Sequence, residues 1–181
     1  MDRQGEGLEN IKIITDSLGN KVVLLSEIIF TNKQSIDWDE VEKYLNKYVN
    51  QFVKITESND IVYIGRHFPN EYSGSKYTRK TKGARTKAKA NAVQGILEML
   101  EIASEKSYRE NHKEKHTEDA GKGWYYYKTR FALPIYKNET KTNSYNLYTA
   151  CMVINCTARG KMFLYDVVDI KKEASNPLKT T

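Results

Sequence analysis

The sequence predicts an α+β domain in which helices pack on one face of an antiparallel meander sheet, preceded by a small N-terminal β/α extension. Three observations carry that reading. Late in the chain, three apolar and aromatic runs, Trp124 to Tyr136, Tyr145 to Cys156 and Met162 to Ile170, are separated by polar turns, the pattern of hairpin-linked strands. Upstream, Trp38, Val41, Leu45, Tyr48 and Phe52 recur at helical spacing, and so do Ala88, Ala92, Ile96, Met99 and Ala103. Helical stripes need an apolar surface to cover, and the strands supply one.

The first of the three strands decides what the sheet can do. Alternate residues share a face, so Tyr125, Tyr127, Thr129, Phe131, Leu133 and Ile135 point one way, and Trp124, Tyr126, Lys128 and Arg130 the other. One face suits a core. The other interleaves rings with cations. On the last strand Met162, Leu164, Val168 and Ile170 mark the buried face, with Phe163, Tyr165 and Asp169 opposite.

The remaining elements follow in order. Ile11–Ile14 and Lys21–Phe30 flank Asp16-Ser-Leu-Gly-Asn20, a turn cluster, and read as a short hairpin. Asp37 and Glu40 form a capping box, with Ile36 and Val41 as a hydrophobic staple. A helix of about four turns is expected to follow. Ile61–Gly65 is long enough for one strand. Residues 66–83, with Pro69, Gly74 and Gly83, read as a long loop. Ala84 to Ser104 reads as the longest helix, in which Gly95 costs about 1 kcal/mol against Ala. Glu105 to Lys122 is polar, and Ala174 to Thr181 reads as a frayed tail.

At 181 residues the chain divides into residues 1–59, the hairpin-plus-helix extension, 60–173, the main α+β domain, and a flexible tail at 174–181. No run approaches the roughly 20 apolar residues of a membrane span, and Met1 to Asn10 is polar and acidic rather than signal-like. A cytoplasmic protein is expected. Cys151 and Cys156, on one strand, would lie about 16 Å apart on opposite faces, which suits reduced thiols. The net charge of +6 is concentrated: residues 66–90 hold Arg66, Lys76, Arg79, Lys80, Lys82, Arg85, Lys87 and Lys89 against Glu71 alone. Such an excess is the footprint expected for a phosphate backbone or an acidic protein partner.

Two of the three histidines, His112 and His116, precede the aromatic strand. They are four apart, but Lys113 and Lys115 between them disfavour a metal, so no metal or cofactor is assigned. Metal-free RNA cleavage suits the surroundings better: it needs a base for the 2′-hydroxyl proton, an acid for the leaving oxygen and cations for the phosphate. Lys128 and Arg130, with Lys115, could supply the last. The bland alternative is two solvated histidines in a charged loop. His67 is a third candidate, more often structural in such a setting. No nucleophile elbow, Walker loop, dinucleotide fingerprint or CxxC pair is present.

In this order, Ala88-Lys-Ala-Asn-Ala92, Asn111-His112, His116, Gly123-Trp-Tyr-Tyr-Tyr127, Lys128-Thr-Arg-Phe131 and Phe163-Leu-Tyr-Asp166 through Glu173 resemble the nuclease-like domains of phage and conjugative-element polyvalent proteins. Those are grouped with the barnase–EndoU–colicin–RelE fold. The likeness covers roughly residues 60–173. It implies helices followed by a 4-stranded antiparallel meander sheet, with Ile61–Gly65 as the further strand, and RNA cleavage across the sheet. The leading expectation is therefore a metal-independent endoribonuclease of mobile-element origin. His112, His116, Lys128 and Arg130 would be catalytic; Arg79, Lys82, Arg85, Lys89, Lys115, Trp124, Tyr126 and Tyr165 would bind RNA or single-stranded nucleic acid. The rival is a non-catalytic nucleic-acid-binding or protein-interaction module.

Overall fold

In the computed structural model, which describes residues 11–31, 35–112, 116, 118–173 and 177–180, the strands form one mixed sheet rather than a 4-stranded antiparallel meander. The strands are β1 (Lys12–Thr15), β2 (Lys21–Leu24), β3 (Phe52–Lys54), β4 (Ile61–Tyr63), β5 (Ser104–Arg109), β6 (Trp124–Lys137), β7 (Thr140–Cys156), β8 (Met162–Lys172) and β9 (Leu178–Lys179). Their order is β1-β2-β6-β7-β8-β4-β3, with β5 also on β6 and β9 on β7. The sheet curls into a half-barrel. β6, β7 and β8 are antiparallel neighbours, but β2 runs parallel to β6 and β4 parallel to β8.

The physical reason for the correction is strand length and exposure. β1 to β4 hold three or four residues each, too few to display a period, and parallel pairing of distant segments is set by tertiary packing. β5 is exposed at almost every position, so it has no apolar alternation to read. It lies in the stretch expected to be a polar loop. Residues 11–59 contribute β1 to β3 to this sheet, and Val23, Val41, Leu45 and Ile55 to the same core as Tyr127, Phe131 and Met152. β9 pairs with β7 through Ser144 and Tyr145.

The helices are α1 (Trp38–Leu45), α2 (Phe68–Gly74), α3 (Lys76–Lys80), α4 (Ala84–Ala92) and α5 (Ile96–Glu101). Asp37 caps α1, its Oδ1 accepting from the backbone N–H of Asp39 and Glu40. The helix is shorter than expected: a 3₁₀ turn at Asn46–Tyr48 follows, and Phe52 sits exposed on β3. Residues 66–83 are not a loop. Phe68 and Tyr72 are buried on α2, and Ser75 caps α3 by accepting from Thr78 N–H. Two buried rings on a helix of seven residues leave no stripe long enough to register as a period. Buried Asn91 holds the chain after β2, accepting from Ile29 and Phe30 N–H and donating to Phe30 O.

The long helix expected over Ala84 to Ser104 breaks at a 3₁₀ turn, Val93–Gly95, between α4 and α5. Gly95 lies against β2: a Cβ there would be 2.8 Å from Leu25 Cδ2 and 2.9 Å from Val23 Cγ1. Both neighbours are fully buried. Gly95→Ala is therefore expected to lower stability by about 1–2 kcal/mol, overpacking outweighing the better helix propensity. A urea titration checks this; an unshifted midpoint would mean that the two side chains give way.

Candidate functional site

On the face of the sheet turned away from the core, the start of β6, the middle of β8 and the end of β5 bring their side chains to one cleft. Its far wall is α3 and the end of α2. The cleft measures about 880 Å³ and is lined by Trp124, Tyr126, Tyr165, His112, His116, Arg79, Lys76, Arg109, Glu71 and Glu110, with Asp166 at its base. Six of the residues singled out in sequence thus come together: His112, His116, Arg79, Trp124, Tyr126 and Tyr165.

The aromatic shelf is built by strand register. Trp124 and Tyr165 meet edge to face with ring centroids 4.9 Å apart. Tyr165 reaches the shelf because β8 carries an irregularity against β7: Val153 pairs with Asp166 and Ile154 with Leu164, leaving Tyr165 as the extra residue. The same bulge turns Val167 into the core, where alternation had placed Val168. Burial, and then the Glu71 carboxylate beside it, pushes the Tyr165 phenol well above its ordinary pKa. At neutral pH it is a hydrogen-bond donor.

His116 stands over this shelf. Its ring makes edge contacts with Trp124 at 5.2 Å and Tyr165 at 5.9 Å, and its Nδ1 lies 3.2 Å from Asp119 Oδ2. The side chain is 13% exposed, so it is a held ring rather than a solvated one. The segment carrying Asp119 is anchored by Asn155, whose Nδ2 donates to Asp119 O at 2.5 Å. Gly123 then allows the return into β6. Its φ is +89°, and a Cβ there would come within 2.7 Å of Arg109 O. His112 is exposed and lines the same cleft.

Arg109 is the cleft residue that sequence reasoning missed. Its guanidinium lies 4.6 Å from the centre of the Tyr126 ring, because β5 pairs Arg109 with Trp124 and Ser107 with Tyr126. A cation at the end of a fully polar segment leaves no pattern to detect. Glu71 and Glu110 share the lining, so the positive excess comes from Lys76, Arg79 and Arg109 together with the exposed Lys80, Lys82 and Arg85 that follow Arg79 in the chain.

The other expected residues lie elsewhere. Lys89 is not on the basic surface: it is completely buried, its Nζ 2.6 Å from Asp166 Oδ1. Lys128 and Arg130 share the outward face with Trp124 but line a second hollow, with Glu57, Glu105 and Gly19. At about 3.3 Å per residue Arg130 is about 20 Å along β6 from Trp124. Lys128 pairs with Glu105. His67, exposed at the start of α2, does not line the cleft. Lys115 lies outside the described residues. Burial pushes the Cys151 thiol up to about 11, so it is a poor nucleophile at neutral pH.

Arg130 is committed to structure. Its Nη1 donates to Asp16 Oδ2 at 2.7 Å and its Nε to Glu173 Oε1 at 2.9 Å, tying the β1–β2 turn to the end of β8. The guanidinium, with the backbone N–H of Asn20 and Leu18, holds the Asp16 carboxyl below the usual carboxylate range. A folded-state pKa below the unfolded one stabilises the fold at pH values above about 3.9 and ceases to do so as pH falls through the folded value. Arg130→Gln is expected to lower the thermal midpoint more at pH 7 than in acid strong enough to protonate Asp16. Equal losses at both would deny the ion pair its role.

Among the described residues, no group of three His, Cys, Asp or Glu side chains is arranged to hold a metal ion. No helix in them is long and apolar enough to cross a membrane. No protein-family model, no curated protein and no solved structure matches the chain.

Proposed function

We propose that the cleft binds single-stranded RNA and cuts it without a metal ion. The observation that carries this reading is the meeting of both imidazoles, three aromatic rings and two guanidinium groups in one cleft. Bases stack on Trp124, Tyr126 and Tyr165; Arg79, Arg109 and Lys76 hold the phosphate in place of the Lys128 and Arg130 expected from sequence. Asp119 fixes Nδ1 of His116 as a donor, which leaves Nε2 to take the 2′-hydroxyl proton. The 2′-oxygen attacks phosphorus, the bond to the 5′-oxygen breaks, and His112 protonates that oxygen. The products are a 2′,3′-cyclic phosphate and a 5′-hydroxyl. The resemblance to nuclease-like domains agrees with this chemistry and with an origin in a phage or conjugative element.

A second reading has its own support. His116 is nearly buried between two rings, which favours an imidazole that braces the shelf of a binding module without cutting. Digestion of a panel of single-stranded RNAs in EDTA separates the two. Cleavage of RNA, but not of its 2′-deoxy counterpart, supports the nuclease; binding without cleavage selects the module.

A further inference from the structure

Beyond the cleft, the outward face carries a second set of rings. Phe52 on β3, Tyr63 on β4 and Phe163 on β8 lie side by side across three strands, because Phe52 pairs with Tyr63 and Tyr63 with Phe163. Their ring centroids are 5.7 Å and 5.9 Å apart. Lys161 reaches over this ladder, its Nζ 4.2 Å from the centre of Tyr63 and 5.3 Å from that of Phe163. β3 ends the sheet, and Phe52 is 57% exposed there. A large ring so open to water on an edge strand stabilises the fold little.

Two features say what it meets. The first is charge. Outward positions of β3 and β4 hold Phe52, Lys54, Ile61 and Tyr63, with no carboxylate among them, and Lys161 sets a cation between two rings. Rings alternating with cations match a strand of bases joined by phosphates. The second is continuity. Phe163 is two residues from Tyr165 on β8, a step of about 7 Å, and Tyr165 touches Trp124 in the cleft. Two groups of touching rings, Trp124–Tyr165 and Phe163–Tyr63–Phe52, thus follow one another on the outward face as far as the sheet edge. Gly65 helps to keep them level, since a Cβ there would press on the Phe163 ring at 3.2 Å.

We infer that the Phe52–Tyr63–Phe163 ladder with Lys161 is an outer subsite for the nucleotides of a single RNA strand that flank those held in the cleft. It rests on the RNA reading of the cleft. The ladder makes the protein a reader of strands several nucleotides long rather than of dinucleotides. Lys161 neutralises a phosphate between bases carried by the rings on either side.

The test uses fluorescently labelled 2′-O-methyl RNA, which the proposed reaction cannot cut, as a trinucleotide and as a decamer. Fluorescence anisotropy gives affinities for the wild type, Phe52→Ser and Lys161→Glu, both surface changes. Each variant is expected to weaken the decamer about five- to tenfold and to leave the trinucleotide unchanged. A decamer affinity equal to the wild type, or equal losses for both lengths, overturns the outer subsite while the cleft reading stands. Wild-type protein that binds neither length defeats the cleft reading and the subsite with it. If Phe52→Ser instead dissolves a dimer in sedimentation without touching RNA affinity, the ladder is a contact between copies and the inference is wrong.

Discussion

His116→Ala is expected to slow cleavage of single-stranded RNA by about 10²–10⁴-fold, the usual contribution of a positioned proton-transfer group. The argument rests on how the ring is held. Asp119 lies against Nδ1, and Trp124 and Tyr165 present their edges or faces at 5.2 and 5.9 Å. Three contacts leave one nitrogen for chemistry. His112→Ala should cost a comparable factor if it supplies the leaving-group proton, while Asp119→Asn, which keeps the shape and loses the charge, should cost less than either. Affinity for uncleavable RNA separates rate from packing: it should change little in His112→Ala and Asp119→Asn. A His116→Ala protein that cuts at the wild-type rate would leave the imidazole as a brace only.

Asp166→Ala is expected to lower stability by about 3–5 kcal/mol, because it strands the Lys89 ammonium inside the protein. Lys89 is 0% exposed and Asp166 3%. Burial pulls the lysine down in pKa and pushes the carboxyl up, each opposed by the charge of the other. Lys89 also lies 4.4 Å from the Tyr72 ring and 5.0 Å from Tyr77. Tyr72 donates to Lys89 O at 2.5 Å, and Tyr77 accepts from Ile170 N–H at 2.8 Å. The pair therefore joins α4, α2 and α3 to β8 at the base of the cleft. Lys89→Met should cost a similar amount, whereas Lys89→Met with Asp166→Leu should recover much of the loss, since two apolar groups leave no charge unpaired. Urea unfolding of the wild type, Lys89→Met, Asp166→Leu and the double variant measures the coupling. Additive losses would mean that the two groups act independently.

The parts of this molecule that could be read in advance are those with enough residues to show a period. β6 has fourteen residues, and as far as Phe131 its two faces divide as alternation requires: Tyr127, Thr129 and Phe131 are buried, with Trp124 and Tyr126 opposite in the cleft. Beyond Phe131 both faces are covered, Ala132 packing in a second cluster with Val22, Leu24, Tyr145 and Leu147. The hairpin of β1 and β2 was legible from Gly19 and Asn20, and the start of α1 from Asp37. β8 keeps its expected alternation through Tyr165. The bulge there carries Asp166 to a buried partner and puts Val167 in the core in place of Val168, and a second irregularity returns Ile170 to the buried face. No local signal marks a bulge.

Charge was the harder matter. Lys89 belongs to a run of cations that reads as one basic surface, yet its burial depends on a carboxylate 77 positions away. Arg130 shares a face with Trp124, as its position demands, but acids from both ends of the chain claim it. Spacing tells which face a cation is on; it does not tell which carboxylate arrives first.

Photo-crosslinking of a 4-thiouridine-substituted single-stranded RNA, mapped by mass spectrometry, tests the cleft most directly. Crosslinks at Trp124, Tyr126 and Tyr165, lost when unlabelled RNA competes, are the predicted result. Crosslinks confined to the hollow beside Lys128 and Arg130, or none at any of the three rings, would contradict it.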